Sequence, residues 1–156
     1  MPAFHFDKIV NWMYKSIALN EYSEYIRILN YLEKAAKHIE YVLIDEDDTC
    51  LIDAVQADIY AQKDTNEWWG TQTSRRACLY RIKASPKLFS LLKKFSTFCV
   101  IKSGNRGIQT ETTDFGINDI AFFDDKSEPI LFTTTHEGII ELRNDAFCLL
   151  YNGGKK

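Results

Sequence analysis

Long apolar runs are missing from this chain: none approaches the roughly 18 residues that a membrane-spanning helix needs, so the sequence predicts no transmembrane segment. The apolar stretch near the N-terminus is broken by Asp7, Lys8, Asn11 and Lys15 and does not read as a secretory signal. No run of five like charges occurs. A formal charge of -3, with acids and bases interspersed, creates no field that would gather nucleic acid, which excludes it as a first partner class. The four cysteines, Cys50, Cys78, Cys99 and Cys148, have no C-x-x-C spacing. They are therefore expected as reduced thiols, and the protein as cytoplasmic. His5, His38 and His136 have neither metal-ligand spacing nor the company of a Cys or Ser arrangement that suggests a triad, and are expected at the surface or in packing. No repeat or low-complexity tract is present.

The chain does have 46% hydrophobic, 26% charged and 13% aromatic residues over 156 positions, enough apolar material for one core and a composition that argues against disorder. A single domain over 1–156 is expected, with 1–39 a helical N-terminal extension. Helices are read over 4–19 and 21–38, the second on the stripe Tyr22, Tyr25, Ile26, Leu29, Leu32 and Ala36. Tyr41-Val42-Leu43-Ile44 is a continuous apolar run ending in acid, the pattern of a strand buried on both faces of a parallel sheet. Asp53 to Ala61 has helical character, and Glu67-Trp68-Trp69-Gly70 reads as an aromatic turn before a further helix. Ser85-Pro86 is an N-cap followed by a first helical position, opening a helix through Phe95. Phe98 to Ile101 reads as a strand stopping at Ser103-Gly104-Asn105, followed by a short helix near 106–114. Ile120 to Phe123 is a further strand, ending in Asp124-Asp125. Strands at 129–134, 138–142 and 146–151 make the last third β-rich.

Three apolar runs that each end in a polar cluster place reactive groups at the carboxyl ends of strands, where open α/β sheets bind ligands. Asp45 and Asp47 can converge on one cation, and hard carboxylate oxygens suit Mg²⁺. One carboxylate can then attack phosphorus while the other protonates the leaving oxygen and activates water, with Thr49 adding a hydroxyl. Ser103, Gly104 and Asn105 offer a hydroxyl, a close backbone approach and an amide to phosphate oxygens. Asp124 and Asp125 supply further metal ligands. The competing reading of each cluster is a solvated turn, with even odds for the two acidic ones and better than even for Ser-Gly-Asn. Lys102 and Lys126, beside strand ends, read as solvated.

In this order the clusters resemble the haloacid dehalogenase-like (HAD) superfamily of phosphohydrolases over roughly residues 40–125. Its first motif, an apolar strand followed by D-x-D-x-T, is matched by Val42-Leu43-Ile44-Asp45-Glu46-Asp47-Asp48-Thr49, with Asp45 on the nucleophile and Asp47 on the acid/base. Cys99 to Ser103 is similar to the second motif and Phe122-Phe123-Asp124-Asp125 to the acidic fourth. The resemblance implies a Rossmann-like α/β fold with a mainly parallel central sheet, N-terminal helices and a β-rich C-terminal segment. It also implies a Mg²⁺ cofactor bound by Asp45, Asp47, Asp124 and Asp125, an aspartyl-phosphate on Asp45, and a phosphorylated small molecule or protein as substrate. Through Glu67-Trp68-Trp69 and the absence of room for a large cap, it is similar to HAD-like proteins secreted by bacterial pathogens. This implies a bacterial cytoplasmic protein or an effector delivered to a host cytosol.

Two departures leave a second alignment open. The family places a phosphate-binding Lys and a helix between its second and fourth motifs, whereas here Ser103 and Asp124 are close in sequence. On the second alignment Asp124-Asp125 is a surface turn, Phe147 to Tyr151 is the strand leading to Lys155 as the phosphate ligand, and the chain is a truncated or degenerate copy. The alternative function is then a non-catalytic interaction module lacking a complete metal site.

Overall fold

The computed structural model describes residues 13–44, 49–69, 71–98, 115 and 118–151. Its elements are β1 (Tyr14–Ile17), α1 (Tyr22–Ala35), β2 (His38–Leu43), α2 (Cys50–Ala54), β3 (Ile59–Trp68), β4 (Thr71–Lys83), α3 (Pro86–Leu92), β5 (Asp119–Phe123), β6 (Pro129–Thr134), β7 (Ile139–Arg143) and α4 (Asn144–Tyr151), with short 3-10 turns at Gln56–Asp58 and Thr135–Glu137.

The strands form a seven-stranded sheet in the order β1-β7-β6-β5-β2-β4-β3. Every neighbouring pair is antiparallel. This overturns the expected Rossmann-like, mainly parallel sheet. A continuous apolar run reports burial on both faces but carries no information on strand direction, and in the β3–β4, β5–β6 and β6–β7 pairs the direction follows from short connections. Trp69 at φ 44° turns β3 into β4, Ser127 at φ 60° lies between β5 and β6, and Gly138 at φ 69° leads into β7. Tight links of this kind join only antiparallel neighbours, since a parallel pair needs a crossover of a dozen or more residues.

Helices cover one face. In α1 the side chains of Tyr25, Ile28, Leu29 and Leu32 recur at helical spacing and are fully buried. Each apolar side chain so buried contributes about 1.5–3 kcal/mol of transfer free energy. The Glu24 carboxylate accepts from the backbone N–H of Asn20 and Glu21, which fixes where this helix starts. Ser85 caps α3 as its sequence foretells, accepting from Leu88 N–H with Pro86 at the first helical position. These helices pack on Ile39 and Tyr41 of β2, Ile82 of β4, Ile120 and Phe122 of β5, and Ile140 and Leu142 of β7.

The second face is covered by the sheet's own hairpin. β4 pairs with β2 only as far as Leu43 opposite Cys78, so β3 and the start of β4 run on past the end of β2. Register irregularities between Ile59 and Ala61 and between Thr65 and Glu67 bend this arm. Its tip reaches back across the sheet, where Trp68 packs with Val42, Ala77 and Leu79, and Trp69 touches both that cluster and Tyr14, Ala121, Phe123 and Phe132. A left-handed backbone at Trp69 costs on the order of 1 kcal/mol, offset by burial of its ring and by an indole N–H bond to Glu40.

Three further expectations change. Within the stretch read as a helix over 4–19, Tyr14–Ile17 is a strand paired with β7. The stretch read as a strand over 146–151 is helix α4, with Phe147, Leu150 and Tyr151 on the core. A short apolar run does not distinguish a buried strand from a buried helical turn. The aromatic turn at Trp68-Trp69 is present, but it links two strands and not a turn to a helix. Among the described residues, no helix is long and apolar enough to cross a membrane.

Candidate functional site

Asp45, Asp47, Ser103, Gly104, Asn105 and Lys155 lie outside the described residues, as do Lys102 and the expected strand and helix over 99–114. What is described is the ground on either side of the acidic segment 45–48. Ile44, which leads into it, donates its N–H to the Asn118 amide oxygen at 2.7 Å, and the same amide donates to the Tyr41 hydroxyl at 3.0 Å. Thr49, which ends it, donates its hydroxyl to Asp53 at 2.9 Å, bracing the first turn of α2.

Beside Asn118, Asp119 is fully buried. Its carboxylate accepts from the Trp68 indole at 2.8 Å and from the Thr135 backbone N–H and hydroxyl at 2.8 and 2.9 Å. This junction ties the end of β2, the hairpin tip and the end of β6 together. The pair escaped sequence reading because it stands before an apolar run, where a polar pair looks like loop. The signal that marks it is a polar Asn-Asp pair entering a fully buried strand, since buried polar groups must be matched by partners.

Asp124 sits elsewhere. Because β5 runs antiparallel to β2, Phe123 pairs with His38 and Asp119 with Val42. Asp124 thus stands at the other end of β5 from Asn118 and Ile44, about 20 Å or more away at the rise of an extended strand. The structure brings it not to Ile44 but to Arg143, whose guanidinium contacts Asp124 at 2.9 Å and Asp145 at 2.9 Å. Its other oxygen accepts from the backbone N–H of Lys126 and Glu128, closing the β5–β6 turn. Burial pushes the Asp124 carboxyl up, but the Glu128 N–H, Arg143 and the Lys126 N–H outweigh it and hold the group below its ordinary value. Asp125 and Lys126 are exposed in the same turn, at the rim of an open recess of about 540 Å³ that Glu128, Arg143 and Asp145 also line.

Among the described residues no three His, Cys, Asp or Glu side chains converge as a metal-binding group. Near the exit from β2 the Asp119 carboxylate is taken up by hydrogen bonds from Trp68 and Thr135. Cys78 and Cys148 are free thiols. His38 is a packing residue, its ring stacked on Phe123 at 4.7 Å. No protein-family model, curated protein or solved structure matches this chain.

The outer strand at one end of the sheet is β3. It is ten residues long, ends the strand order, and exposes seven of its side chains, among them Tyr60 at 55%. No strand among the described residues pairs with its outer edge.

Proposed function

We propose that the chain is a protein-interaction module that captures an extended segment of its partner along the outer edge of β3. The observation that carries this reading is the length and exposure of that terminal strand. An unpaired edge presents backbone N–H and C=O groups to which a further strand can bond, and its alternating side chains read the added sequence. Three of the buried or half-buried carboxylates serve the fold: Glu40 on Arg81 and Trp69, Asp119 on Trp68 and Thr135, Asp124 on Arg143. The test is a photo-crosslinking side chain placed at Gln62 in the cell of origin. It is expected to trap a discrete partner that the same group at exposed Tyr22, on α1, does not trap. Equal trapping from both positions, or from neither, refutes the reading.

A second reading keeps the Mg²⁺-dependent phosphohydrolase acting on a phosphorylated small molecule or protein. It is favoured by one observation: β2 is a buried strand whose end at Leu43 and Ile44 leads directly into Asp45. Asp45 would attack phosphorus and Asp47 would move the proton, with Thr49 and Ser103 contacting the phosphoryl group. Asp45→Asn is then expected to abolish hydrolysis of an aryl phosphate, and millimolar Mg²⁺ to raise Tm. Hydrolysis that persists in this variant, or a Tm that does not move, removes this reading.

A further inference from the structure

We infer that the strand taken up by β3 belongs to a different protein and carries a basic residue followed by an acidic one, running antiparallel so that these face Asp64 and Lys63. The inference rests on the strand-capture reading above and names its partner's chemistry. The register of β3 against β4 is constant from Ala61 opposite Arg81 to Thr65 opposite Ala77, and irregular on both sides. Past Thr65 the edge is closed, because the Thr65 hydroxyl accepts from Glu67 N–H at 3.2 Å and donates to Glu67 C=O at 2.9 Å. The regular edge is therefore Ala61 to Thr65, with Lys63 at its centre and Asp64 beside it.

Lys63 and Asp64 are exposed, and neither forms an ion pair with a described residue. Across β4 they face Leu79 and Cys78. A second copy of the chain is a poor occupant. Two identical antiparallel strands pair about a two-fold axis normal to the sheet, which sets one residue opposite itself at the centre. Centring on Lys63 opposes two ammonium groups and centring on Asp64 opposes two carboxylates, both destabilising. Centring on Gln62 or Thr65 carries the pairing into an irregular end. A foreign strand escapes this repulsion by presenting the opposite charges. Antiparallel pairing, the more stable kind per residue, puts the partner's basic residue first in its chain direction.

Two labelled peptides of one composition, Thr-Val-Arg-Glu-Val-Thr and Thr-Val-Glu-Arg-Val-Thr, titrated with the whole chain at low salt and read by fluorescence anisotropy, test this. The Arg-Glu peptide is expected to bind on the order of tenfold more tightly, and Lys63→Asp combined with Asp64→Lys to invert the preference. Both positions are exposed, and an unchanged Tm checks that the double variant folds. A preference for the Glu-Arg peptide, failure to invert, or sedimentation showing dimers held by this edge overturns the inference. Equal binding of both peptides with protection of β3 amides from exchange ends the charge selection alone and leaves strand capture standing. Absence of binding by either ends both.

Discussion

Replacing Asp119 by alanine removes an acceptor shared by segments far apart in sequence, and its cost can be worked from the bonds it makes. Three contacts are shorter than 3 Å: the Trp68 indole at 2.8 Å, the Thr135 N–H at 2.8 Å and the Thr135 hydroxyl at 2.9 Å. A hydroxyl can turn to another acceptor, but the indole and the backbone N–H cannot. Trp68 is 5% and Thr135 2% exposed, so water does not readily replace the carboxylate. Each buried donor left without an acceptor costs about 1–3 kcal/mol, which sets the expected loss at about 4 kcal/mol. At roughly 2–4 °C per kcal/mol for a chain of this size, Tm should fall by about 10 °C. Urea unfolding followed by circular dichroism measures the loss directly. In a Trp68→Phe background one of the two orphans is already gone, so the same Asp119→Ala step should cost about 1–2 kcal/mol less. A loss below about 1 kcal/mol in the single variant, or no coupling to Trp68, would refute the role assigned to this junction.

Phe122 is fully buried between Phe89 and Phe98, and Phe122→Ala should cost about 3–5 kcal/mol in the same urea assay. Ser85→Ala leaves Leu88 N–H without its cap and frees Asp58 from the serine hydroxyl, an expected loss of about 1 kcal/mol that an unchanged melting curve would contradict. Burial lowers the His38 pKa from its ordinary 6.5, against the opposing pull of Glu40. The unfolded chain therefore binds more protons just below that value, so the contribution is whole above it and is lost as pH falls toward the folded pKa. His38→Phe keeps the stacking on Phe123 and should flatten the stability profile in that window; a profile with the wild-type slope counts against this. Burial raises the Asp124 and Asp145 pKa values, but Arg143 and backbone N–H groups outweigh it, so both carboxyls stay below the ordinary 3.8. Their contribution is present above that value and lost below it, and Arg143→Met should shrink the acid-induced fall in Tm measured from pH 5 downward.

Much of the local structure is legible along the chain, and some of it misleads. The Ser85-Pro86 start of α3, the stripe of α1 and the apolar runs that become β2 and β5 follow from capping chemistry and periodicity, which act between near neighbours. The stripe itself is rotated from the expected one, since Ile28 is buried where Tyr22 was expected and Tyr22 is 53% exposed. Strand β3 is hidden because its side chains are mostly exposed on both faces, leaving no alternation to read. Of the expected site, only Thr49, Asp124 and Asp125 lie among the described residues, and Asp124 is drawn to Arg143 by a charge that sequence spacing does not connect to it.

By itself the sequence determined where apolar segments begin and end, that the chain has material for a core, and that a run of acidic residues follows the apolar segment Tyr41 to Ile44. Tertiary structure alone decided that this strand lies between antiparallel neighbours, that its second face is roofed by Trp68 and Trp69, and that Asp124 stands at the far end of the sheet from Ile44. The reason is physical: burial and capping depend on a residue and its nearest neighbours. Strand direction and the meeting of distant side chains depend instead on which of several ways of burying the same surface costs least across the whole chain.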